Sequence, residues 1–132
     1  MKIVLDFAFS LAGGVVPYFK NMIKHLGNID QENDYLVLVT DEGYQIIKDF
    51  RTGKNVKYRI FPKLINNRYR LFWEQFIFPK ILYRENIDVI YCFNNRVPFR
   101  KMHTKKVFLL GTLGPFDKNY LKNFTFKERI RY

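Results

Sequence analysis

Apolar residues fall in short blocks along this chain, and the blocks alternate between two spacings. KIVLDFAF, Lys2 to Phe9, is apolar at nearly every position. A run that short and that continuous predicts a strand covered on both faces, as in the middle of a parallel sheet. Val15, Phe19, Met22, Ile23 and Leu26 then recur at helical spacing, with Lys20, Asn21, Lys24 and His25 between them. That is an amphipathic helix, and Gly27 with Asn28 supplies its stop. NDYLVLVT, Asn33 to Thr40, predicts a second strand. DEGYQIIKDF, Asp41 to Phe50, predicts a short helix whose first-turn acids suit its dipole.

The second half repeats the alternation. RTGKN is a turn, VKYRIF (Val56 to Phe61) an alternating third strand, and KLINNR a basic loop. YRLFWEQFIFPKILYREN is helical but carries Pro79, which predicts a break or kink near Phe78. IDVIYCF (Ile87 to Phe93) is a fourth strand, NNRVPFRKMHT a loop, and KKVFLLGTL (Lys105 to Leu113) a fifth strand; FKERIRY begins another helix. Strands alternating with helices predict an α/β fold, a right-handed, doubly wound, Rossmann-like parallel sheet. No repeat, linker or low-complexity tract interrupts it, so residues 1–132 read as one domain.

Composition narrows the class. Apolar residues make up 48% and charged residues 27%, the balance of a chain that folds. The net charge of +11 favours an anionic partner: nucleic acid, a membrane surface or a phosphorylated ligand. The lone Cys92 cannot form an internal disulfide and sits in an apolar run, as a small buried hydrophobe rather than a nucleophile. Asp6 interrupts the apolar start of the chain, which argues against a signal peptide, and no run reaches the roughly 18 apolar residues of a membrane span. A cytoplasmic protein, peripheral on the inner face of a membrane, is the expectation.

Candidate chemistry follows from topology. Ligands of open parallel sheets bind beyond the carboxyl ends of the strands, where the strand order reverses. With the order 3-2-1-4-5, strands 1 and 4 are neighbours at that reversal. Gly13, Gly14, Asn94, Asn95 and Arg96 then meet in one crevice, with Gly111 and Thr112 beside them. Gly13 and Gly14 let a helix N-terminus approach a diphosphate, or they only make a tight turn. Asn94 and Asn95 suit sugar hydroxyls, or turn chemistry alone. Arg96 pairs with a phosphate or is simply solvated. Neither GxGxxG nor a GxxxxGK[ST] loop is present. His25 and His103 lack metal-ligand spacing, so no metal and no cofactor are expected. Trp73 reads as core, and Glu74 as a solvent-facing or capping carboxylate. The basic, aromatic stretch from Lys54 to Arg84 reads first as core aromatics along a solvated charged edge, then as a membrane-facing surface. No nucleic-acid motif supports the remaining alternative.

MKIVLDF, GGVVPYFKNMIKHL, NDYLVLVT, WEQFIFPKIL and IDVIYCFNNRVPF, taken in order, resemble the N-terminal domain of family 4 glycosyltransferases, which are retaining enzymes of the GT-B type. The resemblance implies the acceptor-side half of a GT-B fold, incomplete at its end, with the donor-binding C-terminal domain absent and the isolated chain inactive. It implies transfer of a hexose from a nucleotide-sugar co-substrate to a glycan or lipid-linked acceptor, in cell-envelope polysaccharide synthesis. Gly13 and Gly14 match the loop facing the donor diphosphate. Asn94 matches the polar residue that follows strand 4, and with Asn95, Arg96, Gly111 and Thr112 it falls on the acceptor side. The chain departs from the family where many members carry His-Asp or Arg-Asn after strand 5, because Gly111 and Thr112 stand there. A histidine contact to the transferred sugar is therefore not carried over. The alternative class is a non-catalytic Rossmann-like binding module.

Overall fold

The strand β1 (Lys2–Asp6) lies at the centre of a five-stranded sheet of order β3-β2-β1-β4-β5. The computed structural model describes residues 1–8, 14–50, 52–61, 72–93 and 97–109. Every neighbouring pair is parallel: β1 with β2 (Asp34–Thr40) and β4 (Val89–Cys92), β2 with β3 (Val56–Phe61), and β4 with β5 (Lys105–Phe108). This is the 3-2-1-4-5 order on which the expected convergence of loops is conditional. The continuous apolar run at the N-terminus has its physical cause here, since Val4, Leu5, Phe7 and Ala8 are all buried.

Two apolar layers flank the sheet. On one face Leu5, Phe7, Val37 and Val39 pack with Phe19 and Ile23 of α1 (Val15–Ile29) and Ile47 of α2 (Asp41–Ile47). On the other, Val4, Ala8, Leu36, Leu38 and Ile90 pack with Trp73 and with Phe78 and Leu82 of α3 (Phe78–Arg84). Successive strand residues point to opposite faces, so β1 feeds both layers. The molecule is thus a Rossmann-like α/β fold with helices on both sides of its sheet.

The structure corrects or refines the sequence expectations at four places. First, Gly27 does not stop α1, which runs on to Ile29. Gly27 instead permits a backbone crossing: a Cβ placed there would meet the Gly53 nitrogen at 2.2 Å. Second, the break or kink expected near Phe78 takes the form of a change of helix type there, with no interruption of the helical turns. A π-helical turn, Trp73–Ile77, leads straight into α3, and the Phe78 N–H donates to the Trp73 carbonyl. Pro79 falls in the first turn of α3, where its missing N–H is not needed. The wider turn before it eases the contact a proline ring makes with the carbonyl four residues back. Third, Glu74 is buried at 6% exposure, which removes its solvent-facing reading and leaves the capping one standing. Trp73 is core as expected, stacked on Phe78 and edge-on to Phe61. Fourth, α2 ends at Ile47 rather than Phe50, and Thr40 caps it by accepting from the Gly43 N–H. Of the fifth strand, Lys105–Phe108 is described.

Candidate functional site

The carboxyl ends of three strands stand level. Asp6 of β1 is in register with Cys92 of β4, which is in register with Phe108 of β5. The Leu109 N–H donates to the Cys92 carbonyl, which carries the alignment one residue further. The segments that leave β1 and β4 therefore start side by side, at the place where the strand order reverses. Ligands of open α/β sheets bind at such a place.

Of the sequence-predicted site residues, Gly14 is described. Gly13, Asn94, Asn95, Arg96, Gly111 and Thr112 lie outside the described residues. Gly14 precedes α1, with φ −64° and ψ −13°, a conformation open to any residue. A Cβ built on it meets no atom within 4 Å. Neither backbone strain nor packing among the described residues therefore requires glycine there. The exposed position leaves free space directly over the start of a 15-residue helix.

That helix start is electropositive. The first N–H groups of a helix have no internal partner, and the aligned peptide dipoles place partial positive charge on them. Among the described residues no side-chain hydrogen bond caps α1, and no acid stands in its first turn to neutralise the charge. Pro17 removes one donor from that turn.

An aromatic cluster lies beneath these strand ends. Phe7, just past β1, stacks on Phe93, just past β4, with ring centroids 3.7 Å apart. Phe19 of α1 lies 4.0 Å from Phe7, and Tyr91 lies 4.5 Å from Phe93. Tyr18, 43% exposed, leans over Phe93 at 5.5 Å and offers a hydroxyl at the rim. Burial first, and then the hydrogen bond to the Tyr18 hydroxyl, push Tyr91 up to about 12.

Among the described residues two carboxylates are buried, and Asp6 stands at this end of the sheet. Asp6, 5% exposed, accepts from the Ala8 N–H at 3.1 Å and so shapes the first bend of the chain leaving β1. Glu74 follows Trp73, whose ring meets Phe61 at the carboxyl end of β3. Neither carboxylate was assigned to the site from sequence. For Asp6 a signal existed: one acid at the end of an otherwise apolar central strand. Glu74 gave none, because its burial depends on distant elements. Among the described residues no group of three or more His, Cys, Asp or Glu is placed to hold a metal ion, and no helix is long and apolar enough to cross a membrane.

Fold and crevice together define a Rossmann-like α/β protein with a polar helix start at its topological switch point. Compared with models of known families, with curated proteins and with solved structures, the chain matches none.

Proposed function

We propose that this chain is the acceptor-side domain of a retaining GT-B glycosyltransferase, and that the N-terminus of α1 faces the diphosphate of a nucleotide-sugar. The observation that carries the reading is Gly14. It is a glycine at a helix start that neither its dihedral angles nor its neighbours among the described residues require. A position kept free of a side chain suits close approach by a ligand. Backbone N–H groups fixed in that place stabilise negative charge that grows on a leaving phosphate during glycosyl transfer, without reorganising.

On this reading the nucleotide pocket belongs to a second domain outside residues 1–132, and the segments holding Asn94, Asn95, Arg96, Gly111 and Thr112 take the acceptor. The charge of +11 favours an anionic membrane surface carrying a lipid-linked acceptor. In the complete gene product, Gly14→Val lowers sugar transfer by about 10²-fold, comparable to losing one preorganised donor, while the melting temperature stays near the parent's. Equal loss of stability and activity, or no loss of activity, contradicts the reading.

A further inference from the structure

At the other end of the sheet, away from the crevice, a pocket of about 480 Å³ opens between the last turns of α3 and the segment that precedes β5. Its floor is apolar: Leu82 and Ile87 are almost wholly buried, and Met102 is half-buried. Its rim is cationic. Lys80 and Arg84 stand on the α3 side and Arg100 and Lys101 on the facing segment, all four exposed. No Asp or Glu lines the pocket, and none of the four is paired with a carboxylate among the described residues.

The walls are pinned. The buried Thr104 hydroxyl donates to the Ile87 carbonyl at 3.0 Å, and the Ile87 N–H donates to the Leu82 carbonyl at 3.0 Å. Lys106 turns its ammonium onto the Pro98 and Arg100 carbonyls, at 2.6 and 2.8 Å, which fixes the segment that presents Arg100 and Lys101. Asn86 takes a left-handed turn, φ 51°, between α3 and β4. Four cations around an apolar floor is the inverse of an ordinary solvated edge, where signs are mixed. It is the complement of a ligand with an anionic head and an apolar body. Guanidinium groups bind phosphate oxygens through paired, charge-assisted hydrogen bonds.

We propose that this pocket binds a phosphate-bearing amphiphile, with the phosphate between Arg84 and Arg100 and the apolar chain on Leu82, Ile87 and Met102. Such a ligand reaches the pocket either as a free phosphoester or as the headgroup region of a bilayer lipid. The site lies at the amino ends of β4 and β5 and stands independently of the crevice.

Calorimetry on the whole chain with dihexanoyl phosphatidic acid, kept monomeric, tests it. One-to-one binding is expected, at least ~10-fold tighter than inorganic phosphate, because the apolar floor adds to the ionic contact. Arg84→Gln with Arg100→Gln weakens it by ~10-fold or more, as expected for the loss of charged hydrogen bonds, and leaves the melting temperature of the free chain unchanged. Lys20→Gln with Lys24→Gln, the same charge change on α1, leaves binding intact. Equal binding by parent and the arginine variant, equal loss in the two double variants, or no preference over inorganic phosphate overturns the proposal. Sedimentation with phosphatidic acid vesicles separates the sources. Monomer and vesicle binding together support a bilayer ligand, and monomer binding alone supports a free phosphoester. Vesicle binding without monomer binding overturns the pocket.

Discussion

Phe7 and Phe93 stack with ring centroids 3.7 Å apart, one ring from the end of β1 and the other from the end of β4. The contact joins the two strand ends on which the crevice depends. Phe7 is wholly buried and Phe93 is 4% exposed, so both rings belong to the core layer under α1.

Phe93→Ala tests that joint. Truncating a buried phenylalanine removes its apolar contact and leaves a cavity, which costs about 3–5 kcal/mol. Urea denaturation is expected to show a loss of that size. A loss within the ~0.5 kcal/mol typical of surface substitutions would show that the ring is not packed as described.

Two glycines on α1 are expected to behave oppositely. At Gly27 an added methyl meets the Gly53 backbone, at 2.2 Å from its nitrogen and 2.6 Å from its Cα. Backbone cannot rotate away as a side chain can, so Gly27→Ala destabilises by about 1–3 kcal/mol. At Gly14 the added methyl meets nothing and the conformation is helical. Gly14→Ala therefore leaves stability unchanged or raises it by about 0.4–1 kcal/mol, by restricting the unfolded chain. Chemical melts of the two variants side by side decide the matter, and similar losses at both sites would contradict the packing.

Stability in acid is expected to turn on Asp30. Its carboxylate accepts from the Tyr35 hydroxyl at 2.5 Å, from the Asn33 amide at 2.7 Å, and from the N–H groups of Glu32 and Asn33. The Tyr35 hydroxyl is the largest cause, followed by the Asn33 side chain, and together these donors bring Asp30 down to about 2. A lowered carboxyl contributes stability above its ordinary value of 3.8 and loses it as pH falls toward 2. Asp30→Asn should thus melt below the parent at neutral pH, with the gap closing between about pH 4 and pH 2. A gap that stays constant across that range would remove the ionic contribution. Burial first, and then Asp30, push Tyr35 up to about 12, so Tyr35→Phe should raise the Asp30 titration midpoint seen by NMR.

Much of the scaffold is legible in the residues themselves. The largely apolar β1 suits a central strand, and alternating elements suit a parallel doubly wound sheet; the order β3-β2-β1-β4-β5 is an assumption that the structure bears out, because right-handed crossovers alone allow other orders. Gly14 at the start of α1 is legible for the same reason. Other features are not, because their causes are tertiary. Gly27 looks like a helix stop until Gly53 crosses it. Glu74 looks like a surface acid until the widened turn faces the sheet. The cationic rim joins Lys80 and Arg84 with Arg100 and Lys101, two stretches that no local pattern connects. Gly13, Asn94, Asn95, Arg96, Gly111 and Thr112 fall outside the described residues, so the crevice is argued from Gly14 and from the strand ends that flank it.

Whether the start of α1 meets a diphosphate is the central question. Heteronuclear NMR of the complete gene product, with residues 1–132 isotope-labelled by segmental ligation, during titration with uridine, guanosine and thymidine diphosphates answers it directly. The amides of Gly14, Val15 and Val16 are expected to shift with at least one of the three, and Phe93 with them. Amide shifts confined to the pocket beside α3, or none at Gly14 and Val15 with any of the three, would contradict a phosphate-facing helix start.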